Sequence, residues 1–130
     1  MRRSRNSGYV LVEMTSALFV LTVGVLGTMR AYDYGIDSIR AMRESSLAMQ
    51  RVQNEIETLR ALPFGALQDG AREEPIEDAD LANASLHVEL SPDSSASPHL
   101  KQVLVTVSWT AENGRRASRS GVTLIAEKAP

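Results

Sequence analysis

Gly8-Tyr9-Val10-Leu11-Val12-Glu13 opens a run of 21 residues, Tyr9 to Met29, in which Glu13 is the only charge. Arg2, Arg3 and Arg5 stand upstream of it. At 1.5 Å per residue a helix of that length spans roughly 31 Å, enough to cross a bilayer with little tilt. The arginines mark the end that stays cytoplasmic under the positive-inside rule. A carboxylate at the centre of an inserted helix costs about 2.5–3.5 kcal/mol. Glu13 lies nearer the entry end, where the cost is lower, but it still needs a partner.

The same six residues resemble the cleavage and methylation signature of type IV prepilins and pseudopilins. In that family a short basic leader ends in Gly, and a prepilin peptidase cuts after it and methylates the new N-terminus. The resemblance implies a cut between Gly8 and Tyr9, N-methylation of Tyr9, and a retained carboxylate at Glu13 that pairs with a subunit amine during assembly. Tyr9 stands where Phe or Met is usual, and Val10 where Thr is common. The implied partners are the peptidase, other pilins or pseudopilins, and inner-membrane lipid, with the N-terminus cytoplasmic and the C-terminal part periplasmic.

Two other readings of the N-terminus belong beside this one. A secretory signal peptide has an apolar core of roughly 7–15 residues closed by small residues. The run here is longer, has no Ala-x-Ala site and continues as helix. A plain signal anchor fits the length but leaves Glu13 unexplained. Within the span, Gly24 and Gly27 lie three residues apart. They serve either as a soft point in the helix or as a surface for close helix packing. Thr15 and Ser16 are expected to bond carbonyls one turn back.

From Arg30 the pattern becomes amphipathic. Ile39, Met42, Met49, Val52, Ile56 and Leu59 recur at helical steps, with Ser45 interrupting the stripe. The ordinary role of such a stripe is to pack under a sheet. Pro63 ends the pattern, so one helix is expected from about Val10 to Leu62. Gly35 is a place for a gentle bend. The exit Leu59-Arg60-Ala61-Leu62-Pro63-Phe64 resembles that of pilus-modification-type minor pilins, with Phe64 and Leu67 folding back over the last turn.

Residues 68–83 hold Glu73, Glu74, Glu77, Asp78 and Asp80. Their spacing matches no calcium loop, and the segment reads as a solvated linker. Three strands are then expected. They are Ser85 to Leu90, then Leu100 to Trp109 with Val103, Val105, Val107 and Trp109 on one face, and Arg116 to Ile125. Ser91 to His99 reads as a loop and Glu112-Asn113-Gly114 as a turn, with Ala126 to Pro130 as a frayed tail. The last hairpin also resembles the C-terminal sheet of minor pilins.

The sequence therefore divides into a leader (1–8), the transmembrane half of a long helix (9–29), its amphipathic outer half (30–62), and a linker with a small sheet (63–130). The expected fold is α+β, a long N-terminal helix packed against a small C-terminal antiparallel β-sheet of three or four strands. Net charge is −2, but residues 31–130 carry 10 Lys/Arg against 15 Asp/Glu. That balance speaks against nucleic acid as a partner, even with Arg115, Arg116 and Arg119 clustered. Pairing with the acidic segment or plain solvation is the expected state of those arginines. The chain has no cysteine, which excludes disulfides and thiolate chemistry.

No catalytic, metal or cofactor constellation emerges. His87 is expected on an exposed strand face and His99 in a loop, and no nucleophile elbow or phosphate-binding Gly loop is present. The expectation is a minor pilin, a structural subunit that is the substrate of an enzyme and not itself one. The alternatives are a pseudopilin of a type II secretion system and, in a different class, a bitopic signal-anchored protein with a small ligand-binding domain.

Overall fold

A single helix, α1, runs from Asn6 to Ala61, and four strands follow it. The computed structural model describes residues 6–92 and 99–127. The leader arginines, most of the Ser91–His99 loop and the last three residues lie outside them. Contacts divide the chain into two units, Met1–Arg40 and Ala41–Pro130.

In the first unit, α1 continues without a break through Gly24, Gly27 and Gly35. Its apolar side chains are exposed, Leu18, Phe19 and Leu26 among them. The hydroxyls of Thr15, Ser16, Thr22 and Thr28 donate to the carbonyls of Leu11, Val12, Leu18 and Gly24, one turn back, at 2.7–3.2 Å. The expectation for Thr15 and Ser16 is met, and these polar groups are satisfied without a second chain.

In the second unit, the rest of α1 packs against a four-stranded antiparallel sheet, an α+β fold. The strands are β1 (Gly70–Ile76), β2 (Ala84–Pro92), β3 (Leu100–Thr110) and β4 (Arg116–Ala126), ordered β1-β2-β3-β4. Val103, Val105, Val107 and Trp109 of β3 are buried on one face, as their alternation demands. Val88 and Leu90 of β2 join them, with Ala48, Val52 and Leu59 from α1. Burying one Val or Leu side chain contributes about 1.5–3 kcal/mol, so this layer dominates the unit's stability.

The expected stripe is covered at Val52, Ile56 and Leu59 and uncovered at its N-terminal end, where Ala48 takes the place of Met49. Ala48, Val52 and Leu59 are buried and Ile56 is partly so, whereas Ile39 and Met42 are 68% and 69% exposed. Met49 is also exposed. Ser45 belongs to the covered line, where its hydroxyl receives the Arg119 guanidinium (Nε to Oγ, 2.8 Å). Small residues at 45 and 48 let the sheet approach the helix, and the long methionines would hold it off.

The acidic segment is likewise more ordered than a solvated linker. Its first half is β1, an edge strand carrying Arg72, Glu73 and Glu74, and charge is a common way of keeping an edge soluble. Arg72 of β1 reaches Glu55 of α1 at 2.5 Å. Past β1, Asp78 and Asp80 meet Arg51 and Arg43 of α1 at 3.0 and 3.7 Å. Asn83, at φ 49, turns the chain into β2.

The helix exit follows the expected plan. After Pro63, Phe64–Ala66 form one 3-10 turn, Leu67 is buried and Phe64 is partly buried. Lys101 of β3 holds the turn in place. Its ammonium donates to the Leu67 carbonyl, lies 3.0 Å from Asp69, and stands 5.3 Å from the Phe64 ring centre. The β3–β4 turn closes with Gly114 N–H on the Ala111 carbonyl at 2.8 Å, and Gly114 has φ 76. Strand β2 extends to Pro92, two residues into the expected loop.

Candidate functional site

The sequence-derived site lies in the first two turns of α1. Gly8 is already helical, two residues after the start of α1. Tyr9 is 77% exposed, and Glu13 is exposed one turn further on. Residues four apart share a helix face, so Tyr9 and Glu13 point the same way. Gly24 and Gly27 have no side-chain or foreign backbone atom within 4 Å of a Cβ built on them. Both are therefore open to an approaching helix, and α1 is unbroken at either.

What surrounds these residues is apolar surface without cover. The helix is long and apolar enough to cross a membrane, and none of its most apolar window is buried. In water such a surface is costly, at roughly 25 cal/mol per Å². Lipid, a protein partner or both must cover it.

The second unit offers no comparable chemistry. His87 lies on the sheet face away from α1, in register with Glu73 and Thr106 and half-buried by its neighbours. His99 bonds Glu127 through Nδ1. Ser85 and Ser108 pair hydroxyl to hydroxyl at 3.0 Å. Among the described residues no group of three or more His, Asp or Glu is placed to hold a metal ion. The Asp78 carboxyl is held below its ordinary value, first by the Asp80 backbone N–H and then by Arg51. These two bonds account for it as a structural anion.

A groove of about 300 Å³ lies at the helix exit, lined by Leu59, Leu62, Leu67 and Leu90 with Asp69 and Arg72 at its rim. Asp69 pairs with Lys101, and Arg72 with Glu55. No buried side-chain nitrogen or oxygen among the described residues lacks a partner. Both charged side chains at the groove are thus paired within the chain.

All three clustered arginines are exposed, and two of them bond side chains or backbone of the chain. Arg116 donates to the Asn83 carbonyl and to Ser108 Oγ at 3.2 and 3.0 Å, and Arg119 to Ser45. The partners of Arg116 and Arg119 are serine hydroxyls and the backbone carbonyls of Asn83 and Ser118, whereas Asp78 and Asp80 meet arginines of α1. Two positions escaped the sequence reading. Glu44 accepts the Trp109 indole N–H (Nε1 to Oε2, 3.0 Å), and Gly121 lies against Val52. A lone Gly within a β-branched strand is a sign of close backbone approach, so Gly121 was open to detection. The Glu44–Trp109 pair, 65 residues apart, had no local signal.

Comparison with protein-family models, characterised proteins and solved structures returned no match.

Proposed function

We propose that this chain is a minor pilin, a membrane-anchored subunit that joins or initiates a type IV pilus-like filament after prepilin peptidase cleavage and N-methylation. One observation carries the reading. Glu13, a lone carboxylate five residues past Gly8, sits in a helix whose most apolar stretch no described residue covers. A single-span anchor explains the apolar surface but not the carboxylate. A filament subunit explains both, because a neighbour's N-terminal amine neutralises the charge and neighbouring helices cover part of the surface.

In this reading the N-terminus is cytoplasmic and the sheet domain lies across the inner membrane. The chain is acted on by an enzyme and performs no catalysis. The sheet protects the second half of α1, and the first half serves anchoring and assembly. A type II secretion pseudopilin would share the processing and the anchor and differ in the filament it enters.

The test is co-expression of the full chain with a prepilin peptidase, followed by intact-mass measurement. Loss of residues 1–8 and one added methyl group on Tyr9 are expected. An uncut chain, or a cut near residue 20 or beyond, would overturn the reading.

A further inference from the structure

The two edges of the sheet differ in chemistry. β1 carries Glu73 and Glu74, with Glu77 just beyond it, while β4 carries Arg116 and Arg119. Each has a strand neighbour on one side only. An uncovered edge presents a row of unpaired backbone donors and acceptors. On β4 this edge also exposes Val122 and Leu124, at 59% and 51%.

We propose that β4 of one copy pairs with β1 of a second copy, extending the antiparallel sheet from chain to chain, with Arg119 opposite Glu74. The registers of the three ladders place Glu74, Leu86, Val107 and Arg119 in one row, and Glu73, His87, Thr106 and Ser120 in the next. With four strands of alternating direction, β1 of an identically oriented copy runs antiparallel to β4. No shear is needed to bring Arg119 level with Glu74.

The alternative pairings are disfavoured by charge. Sliding two residues one way sets Arg119 against Arg72, and the other way against Ile76. A slip of one residue exchanges the two faces. Pairing β1 with β1 sets Glu73 and Glu74 against each other, and pairing β4 with β4 opposes its basic end to its apolar end. Opposite charges across a strand pair attract and like charges repel, so the matched β4–β1 register is the complementary one.

Pro75 has no N–H and ends the shared ladder, which therefore joins Gly70–Glu74 to Arg119–Thr123. Arg119 is held at the rim by Ser45 and by the Ser118 carbonyl, at 2.8 and 3.4 Å. Glu74 has Arg72 at 3.7 Å within its own copy, a loose contact that a second guanidinium can share. Because the joined surfaces differ, the contact is heterologous, and it repeats as a ring where its rotation closes and as an open array where it does not. The proposal uses the sheet alone and stands apart from the processing of Gly8.

The chain has no cysteine, so introduced ones report cleanly. Two differently tagged full-length chains, one Ser120→Cys and one Glu73→Cys, are co-expressed and their membranes oxidised. These positions share a row, and facing Cβ atoms on paired strands stand about 4.5–5.5 Å apart, close to disulfide reach. The mixed membranes should give a covalent dimer bearing both tags, several-fold more than either variant alone. Adding Arg119→Glu to the first chain should abolish it, and Glu74→Arg on the second should restore it. That restoration separates a lost charge contact from a lost fold. No mixed dimer, equal dimer from either single variant, or no response to the charge changes would overturn the proposal.

Discussion

Gly121 of β4 faces Val52 of α1 so closely that a Cβ on Gly121 would stand 2.8 Å from Val52 Cγ1 and 3.0 Å from Ile56 Cδ1. Val52 is 1% exposed and β-branched, and has little room to turn aside. This is where the second half of α1 and the sheet come into close contact.

Gly121→Ala is accordingly expected to destabilise the second unit by about 1–3 kcal/mol, the usual cost of overpacking. Gly121→Val should cost more. Chemical denaturation of the full chain in detergent, followed by far-ultraviolet dichroism, measures it. A neutral Gly121→Ala would mean that helix and strand are further apart than the structure places them.

The covered and uncovered ends of the stripe yield a paired comparison. Leu59→Ala removes a buried side chain and should cost about 2–5 kcal/mol. Met42→Ala, on the exposed side, should stay within about 0.5 kcal/mol. A large effect at Met42 in the same denaturation experiment would restore the face suggested by hydropathy.

Trp109 is the sole tryptophan, so its fluorescence reports on its own site. Glu44→Ala leaves the buried indole N–H without its acceptor and should cost about 1–3 kcal/mol. Glu44→Gln keeps a carbonyl oxygen within reach and should cost less. Emission should remain blue-shifted in Glu44→Gln. Equal loss in both variants would show that bulk at position 44 matters more than the hydrogen bond.

Asp78 sets an acid limit. Its folded-state pKa is lowered below the ordinary 3.8 by the Asp80 N–H and Arg51. Its contribution is therefore complete above the unfolded pKa and is lost as pH falls through the lowered folded one. Stability measured from neutral pH down through that range should decline, and Asp78→Asn should flatten part of the decline. An unchanged acid slope in Asp78→Asn would remove Asp78 from the account.

Glu13→Gln keeps the shape of the side chain and removes its charge. Under the proposed function, insertion and the cut after Gly8 should survive, while incorporation into filaments falls sharply. Fractionated filaments probed for the subunit give the measurement. Wild-type incorporation would shift recruitment to the exposed Gly24 and Gly27 face or to the sheet domain.

Much of the architecture was legible because it rests on local chemistry. The 21-residue apolar run, the stop at Pro63, the β-branched alternation of β3 and the Gly114 turn each act through neighbours a few residues away. The proposed processing residues are legible for the same reason, being a short motif in a fixed order. β1 was not, because its Arg, Glu and Pro residues have weak strand propensity. It becomes a strand by pairing with β2 and by the Arg72–Glu55 ion pair.

What the sequence by itself determined is the apolar helix, its continuation to the exit at Pro63, and a sheet following it. Hydropathy and backbone preference act residue by residue and can be read in order. Only the tertiary structure decided that Ala48 and not Met49 is covered on α1, that the acidic segment meets Arg43 and Arg51, and that Trp109 bonds Glu44. Those choices depend on how closely two surfaces approach, and that distance is set by Ala48, Ser45 and Gly121 at positions remote in the chain.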